Sequence, residues 1–97
     1  MARIELAPEV FEDFDRIFEH IARFDVDSAP QRIGEIVQAL QILAASPLIG
    51  RPVQGSRREL VIGRGSRGYL ALYRFVEDID VVFVLAIRSQ REGGYAR

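Results

Sequence analysis

The sequence predicts an α+β fold in which two amphipathic helices pack on a sheet, with the element order β-α-α-β-β-β. Through the first half of the chain, apolar residues recur at three- and four-residue steps, which is typical of helices that bury one face. The second half contains short runs rich in branched and aromatic residues, separated by glycine-rich or acidic turns. The 97 residues are expected to form a single domain, 1–97.

The first strand and helix are predicted from alternation, a proline and a change of period. Residues 2–6 alternate between polar and apolar types, which favours a short strand. Pro8 suits the first turn of a helix, where its missing N–H would have no partner anyway. The spacing predicts a helix from about Pro8 to Phe24, with an apolar face of Val10, Phe11, Phe14, Ile17, Phe18 and Ile21.

The second helix completes a hairpin with the first. Asp27 or Ser28 is expected to cap its start, with Pro30 in its first turn. Its apolar stripe runs through Ile33, Ile36, Val37, Leu40 and Leu43 and ends near Ala45. The next segment, 46–56, holds two prolines and two glycines and is predicted to be a loop.

Three strands in a meander are predicted for the rest of the chain. They lie at 58–63, 68–76 and about 81–88, and a polar tail follows. The expected sheet is antiparallel, and the helical hairpin covers it. Strict alternation on the last strand would place Ile87 on the face opposite to Val82 and Val84.

Composition excludes several classes of function. The chain has no cysteine and one histidine, His20, so thiolate chemistry and a multi-histidine metal site are excluded, and we expect no cofactor and no metal. No apolar run reaches the roughly 20 residues that a membrane span needs. The N-terminus lacks the apolar core of a secretion signal, so we expect a cytoplasmic protein without membrane contacts.

Charge is distributed unevenly along the chain. Residues 1–50 carry four arginines and nine acids, whereas residues 51–97 carry nine arginines and five acids. All the basic residues apart from His20 are arginines, whose guanidinium groups suit phosphates and carboxylates equally well. One alternative is that individual arginines only pair with acids such as Glu59 and Glu92. As a group they favour a binding surface at the rim of the sheet, formed by Arg58, Arg67, Arg74, Arg88, Arg91 and Tyr95.

Several short motifs in the same order resemble the RelE/ParE superfamily of bacterial toxins from type II toxin–antitoxin systems. The matching residues are Gly50-Arg51-Pro52, Arg58-Glu59-Leu60, Gly68-Tyr69, Tyr73-Arg74, Ile87-Arg88, Gln90-Arg91-Glu92 and Tyr95. The resemblance covers nearly the whole chain, and its long helical hairpin is ParE-like. It implies a small toxin that is neutralised by a cognate antitoxin in a hetero-oligomer.

The resemblance leaves two targets open. RelE-like members cut mRNA in the ribosome, and ParE-like members poison DNA gyrase. Positions that are basic in many of the nucleases are here Val61, Gly63 and Leu70, and Ser89 stands where some relatives have histidine. Arginine stabilises charge but is a poor general base, so the catalytic set is incomplete.

The leading hypothesis is therefore a ParE-like toxin that inhibits DNA gyrase through protein–protein contact. The first alternative is a ribosome-dependent mRNA endoribonuclease that uses Arg67, Arg88, Arg91 and Tyr95. The second alternative is a non-toxic module that only binds the antitoxin. In each case an antitoxin segment is expected to fold onto exposed apolar surface and to cover the basic rim with acidic residues.

Overall fold

A computed structural model describes residues 1–96 and confirms the α+β class. The helices are α1 (Pro8–Ala22), α2 (Ala29–Leu40) and the short α3 (Ile42–Ala45). The strands are β1 (Arg3–Leu6), β2 (Arg51–Val53), β3 (Arg57–Ile62), β4 (Tyr69–Val76) and β5 (Val81–Ser89). Single 3-10 turns, Gly65–Arg67 and Glu77–Ile79, connect the last three strands into the predicted meander.

The five strands form one sheet in the order β1-β5-β4-β3-β2. β1 pairs with β5 in parallel, whereas the other neighbours are antiparallel. The predicted antiparallel meander is therefore confirmed, and β1 joins it as a parallel edge strand, which the sequence did not indicate. The chain leaves β1 through the helices and re-enters the sheet at its far edge, and the strands then step back until β5 lies beside β1.

Two further details differ from the sequence prediction. The segment 46–56, expected to be a loop, contains β2, which pairs with β3 at the sheet edge. A three-residue strand that includes Pro52 has no periodicity to reveal it, and proline is tolerated at an edge. The second helix is interrupted at Gln41, and Ser28 precedes it without capping it, because its hydroxyl donates to the Asp25 carbonyl at 3.2 Å instead.

The helices cover one face of the sheet and form the core with it. Buried residues of α1 and α2, including Val10, Ile17 and Leu40, pack against Ala71, Tyr73 and their neighbours on β5. Phe11 and Phe18, expected on the buried face of α1, are 56% and 36% exposed. The position that the helix buries instead is Asp13.

A β-bulge in β5 corrects the predicted alternation. Leu72 pairs with Ala86 and Tyr73 with Val84, so β5 has one extra residue, Leu85, at this point. The bulge places Ile87 in the core together with Val82 and Val84, whereas strict alternation put it on the opposite face. Arg88 consequently faces away from the helices.

Candidate functional site

The sheet face opposite the helices, called here the open face, holds two of the predicted site residues at its centre. The pairing places Glu59, Leu72 and Ala86 in one row across β3, β4 and β5, and Val61, Leu70 and Arg88 in the next. The tail after β5 returns over this face, and Tyr95 lies beside Leu72 and Ala86. Residues distant in sequence thus meet on the open face because the strands are antiparallel neighbours.

Glu59 is the hub of a network on the open face. It is 9% exposed, and its Oε1 accepts hydrogen bonds from Arg51 Nε at 2.9 Å and Arg51 Nη2 at 2.6 Å. Its other oxygen, Oε2, accepts a hydrogen bond from the Tyr95 hydroxyl at 2.7 Å. Both carboxylate oxygens are therefore engaged, and the tail is tied to β3.

Arg88 completes this Glu59 network from the β5 side. Its guanidinium carbon lies 5.3 Å from the centre of the Tyr95 ring, which is a cation–π contact. Its Nη1 donates to the carbonyls of Ser89, at 3.3 Å, and Glu92. Its Nε is buried and has no hydrogen-bond partner among residues 1–96. Arg88 therefore holds the turn after β5 as well as the tyrosine.

The network shifts the titration of both partners. Burial alone would raise the pKa of Glu59, but hydrogen bonds from Tyr95 and Arg51 outweigh it and place that pKa below its ordinary value. Burial, reinforced by donation to the Glu59 carboxylate, raises the pKa of Tyr95 well above its ordinary value. Near neutral pH the network thus contains an ionised carboxylate and a neutral phenol.

Arg58 lies apart from this network and organises the segment before β2. Its Nη1 donates to the carbonyls of Leu48 at 3.0 Å and Gly50 at 2.8 Å. The Gly50 N–H in turn donates to the Tyr73 hydroxyl at 2.8 Å. A Cβ at Gly50 would come within 2.7 Å of the Glu59 carbonyl and the Tyr73 ring, so this close approach requires glycine.

The remaining predicted residues lie outside the Glu59 network. Arg67 and Arg91 both line a cleft between the α1–α2 turn and the ends of β4 and β5, called here the terminal cleft. Arg74 is exposed on the open face opposite Phe83. The predicted set is therefore divided: Arg88 contacts Tyr95, Arg67 and Arg91 line one cleft elsewhere, and Arg58 and Arg74 belong to neither pair.

Sequence reasoning missed the roles of Arg51 and Glu59. The sequence identifies both residues only as members of motifs, with Glu59 also a possible partner for arginines. They are direct partners in the β2–β3 register, so recognising β2 would have brought them together. Arg51 stands before a proline in a segment with two glycines, and that composition concealed the strand.

Within residues 1–96, no helix is both long and apolar enough to span a bilayer. The same part of the chain shows no group of three or more histidine, aspartate or glutamate side chains arranged to hold a metal ion.

Comparison with solved structures places the fold among toxin–antitoxin proteins. A chain of the chromosomal ParDE toxin–antitoxin system from P. aeruginosa superposes with a TM-score of 0.77 at 22% identity, covering 92% of this chain and 96% of that one. A chain of the RelBE2 complex from Mycobacterium tuberculosis gives 0.67 at 18% identity, covering 92% and 98%. A chain of the intact E. coli RelBE complex gives 0.63 at 16% identity, covering 95% and 100%.

Sequence comparison gives the family itself. No curated protein sequence matches the chain significantly. The family model for the ParE toxin of the type II toxin–antitoxin system parDE matches residues 4–93, which include every helix and strand of the fold except the first residue of β1. With this match, and with a fold shared by ParDE and RelBE complexes, the chain belongs to the ParE family of type II toxins.

Proposed function

We propose that this ParE-family toxin arrests growth by inhibiting DNA gyrase through protein–protein contact and that a cognate antitoxin neutralises it. The rival function within the superfamily is ribosome-dependent cleavage of mRNA. The two functions make different demands on the open face, since cleavage needs acid–base groups there and protein contact does not. The residues that bear on this difference are those of the Glu59 network and their neighbours.

The observation that carries the proposal is the engagement of Tyr95 by Glu59. Attack of a 2′-hydroxyl on phosphate needs a base, an acid and stabilisation of the negative charge that develops. Here the tyrosine donates to a carboxylate that is itself held by Arg51, and its raised pKa opposes ionisation. The carboxylate also adds negative charge where an RNA phosphate would have to lie.

The neighbouring positions favour a face that binds another protein over one that catalyses a reaction. Val61 is 50% exposed beside the network, and Leu70 is buried between Val61 and Arg88. Among residues 1–96 the open face has neither histidine nor lysine, because the chain has no lysine and His20 lies on α1. Exposed Arg74 and half-buried Arg88 supply positive charge on this face.

The antitoxin is proposed to cover exposed apolar side chains and the basic rim together. Phe11 on α1, Ile42 on α3 and Val61 on β3 are each about half exposed, and such side chains favour a partner that folds on binding.

Reversing the charge at Arg91, which is exposed, is expected to slow association with the antitoxin. Stopped-flow association at two salt concentrations tests this, and an on-rate independent of salt would contradict it.

Pulse labelling after induction of the toxin alone tests the target. If gyrase is the target, DNA synthesis stops before protein synthesis, DNA breaks appear, and the purified toxin inhibits supercoiling by gyrase. If protein synthesis stops first and mRNA is cleaved, the target is the ribosome and the proposal is wrong. Normal growth in the presence of folded toxin would favour a module that only binds the antitoxin.

Two matched variants distinguish loss of a catalytic hydroxyl from loss of the Tyr95–Glu59 contact. Tyr95→Phe and Glu59→Gln both weaken the Tyr95–Glu59 contact, but only the first removes the hydroxyl. A gyrase inhibitor is expected to remain toxic in both variants when each is folded. Loss of toxicity in Tyr95→Phe alone would indicate a catalytic hydroxyl and would contradict the proposal.

A further inference from the structure

The terminal cleft collects arginines from four separate segments of the chain. Arg23 follows α1, Arg32 lies in the first turn of α2, Arg67 ends the 3-10 turn before β4, and Arg91 follows β5. The cleft consists of two adjoining hollows of about 440 and 280 Å³ that share His20, Ile21, Tyr69, Ser89 and Arg91. This size lies in the range of small-ligand sites.

The positive charge of this cleft is largely uncompensated. Arg23, Arg32 and Arg67 form no ion pair with any residue in the range 1–96, and the Arg32 guanidinium donates only to the Tyr69 hydroxyl, at 3.4 Å. Three acids, Glu19, Asp25 and Glu92, also line the cleft, and none forms an ion pair with these arginines. Arg23, Arg32 and Arg67 therefore border one cleft beside three acids that do not neutralise them by direct contact.

Arg16 provides the contrasting case of an arginine in the same cleft whose charge is compensated. Arg16 lines the larger hollow but is bonded to Asp13 at 2.8 Å and to Glu92 at 3.1 and 3.2 Å. It is therefore occupied in holding α1 to the sheet. The contrast separates a structural arginine from those whose guanidinium charge remains available to a ligand.

The floor of the cleft is apolar and has an aromatic margin. Ile17 and Ile21 are buried side chains that line the larger hollow. The rings of His20 and Phe24, which line the smaller hollow, pack edge to face with their centres 5.5 Å apart. A ligand with a compact anionic group and a flat apolar body would satisfy the arginines and these surfaces together.

We propose that the terminal cleft binds a nucleotide, with the phosphate held by Arg32 and Arg67 and the base placed against Ile21 and His20. Glu19 and Asp25 would repel the closely spaced carboxylates of an acidic peptide, so a phosphate with its nucleoside fits the charges of the cleft better. The same chemistry is presented by a free nucleotide and by a nucleotide in a single strand. The site is separate from the open face and does not depend on the target of the toxin.

Calorimetric titration of the purified full-length chain with adenosine 5′-monophosphate tests the site. Adenosine without phosphate is expected to bind at least about tenfold more weakly, since it lacks the group that the arginines hold. Arg32→Gln and Arg67→Gln are each expected to weaken binding of the monophosphate by about tenfold. Arg74→Gln is the matched control, because Arg74 is an exposed arginine outside the cleft, and its affinity should stay within about twofold.

The alternatives give distinct results in this experiment. Equal loss of affinity in the Arg74 variant, equal binding of adenosine and its monophosphate, or no saturable binding at millimolar nucleotide would each overturn the proposal. A short single-stranded oligodeoxynucleotide identifies the source of the ligand: tighter binding than the monophosphate, lost in the Arg67 variant, assigns the site to a strand. Weaker binding than the monophosphate assigns it to a free nucleotide.

Discussion

At the scale of single residues, the open face and the segment before β2 each depend on a few close side-chain contacts. Glu59 accepts from Arg51 and Tyr95, and Gly50 allows the Tyr73 hydroxyl to approach the backbone before β2. Each of these groups acts through a contact with a residue far away in sequence. Substitutions at these positions therefore report on the tertiary structure rather than on local propensity.

Gly50→Ala is expected to destabilise the protein by about 1 to 3 kcal/mol, the range for forcing atoms into a packed site. Its Cβ would meet the Glu59 carbonyl, Tyr73 Cε1 and the Tyr73 hydroxyl at 2.7 Å. Gly34→Ala is the matched control in α2, where a Cβ meets nothing within 4 Å, and it is expected to stabilise the helix by about 0.5 to 1 kcal/mol. Urea denaturation measures both, and equal effects at the two glycines would contradict the packing argument.

Glu59→Gln is expected to lower the free energy of unfolding by about 1 to 3 kcal/mol at neutral pH, where the carboxylate is ionised. Because folding lowers the pKa of Glu59, its contribution is present above the ordinary value of 4.5 and is lost as the pH falls through the folded pKa. The stabilities of wild type and variant should therefore converge in acid. Urea midpoints measured from neutral pH downwards test this, and a difference independent of pH would exclude the charge as the cause.

At the scale of elements, α1 completes the hydrogen bonding of β5 where β1 ends. β1 pairs with β5 only as far as Leu6 and Val84, and Ala7 then donates to the Val84 carbonyl. Beyond that point Asp13 Oδ2 accepts from the Ile87 N–H at 2.9 Å, and Arg16 Nη2 donates to the Ile87 carbonyl at 3.2 Å. Two side chains of a helix thus take the place of the missing strand residues.

This pairing also explains the buried acid on an otherwise apolar helix face. Asp13 is 1% exposed and is bonded to Arg16, whose guanidinium also reaches Glu92 in the segment after β5. Burial alone would lower the pKa of Arg16, but its bonds to Asp13 and Glu92 raise that pKa above its ordinary value. Arg16 therefore remains charged, and its bonds to Asp13 and Glu92 fix α1 on the sheet.

Asp13→Ala is expected to destabilise the protein by about 3 to 5 kcal/mol, because it leaves the Ile87 N–H and part of the Arg16 charge without their partner. Asp15→Ala, two positions along the same helix and exposed, should change stability by less than about 0.5 kcal/mol. Thermal or urea denaturation of both variants gives the comparison. A small effect at Asp13 would mean that water replaces the carboxylate at the edge of β5.

At the scale of the whole molecule, one core joins the N-terminal and C-terminal halves. The buried cluster takes residues from α1, α2, α3 and the three strands of the meander, and β1 inserts beside β5. The bond between α1 and the last segment, Arg16 to Glu92, spans most of the chain. The acidic half and the basic half therefore contribute to the same core, and that they unfold as one unit stays a prediction.

Denaturation by guanidinium is expected to show one cooperative transition for this unit. Far-ultraviolet circular dichroism reports mainly on the helices, and tyrosine fluorescence reports on the sheet and tail, since the chain has three tyrosines, all after residue 68, and no tryptophan. The two probes should give coincident midpoints. A separate early transition in the tyrosine signal would mean that the tail carrying Tyr95 unfolds independently.

The sequence by itself determined the elements and the family. The three- and four-residue spacing predicted the helical hairpin, the apolar runs predicted the β3–β4–β5 meander, and ordered motifs such as Arg58-Glu59-Leu60 identified the superfamily. These signals are local, because the periodicity of a helix face or a strand involves residues only a few positions apart. They gave no hint of β2, whose three residues are too few to show a period.

Tertiary structure decided which side chains meet. The parallel placement of β1, the bulge at Leu85 and the return of the tail determine that Tyr95 reaches Glu59 and that Ile87 enters the core. The fold also places Arg23 and Arg32, from the acidic half, in the same cleft as Arg67 and Arg91. Composition alone puts the basic surface in the second half. These meetings depend on strand pairing and chain return over tens of residues, and no local pattern encodes them.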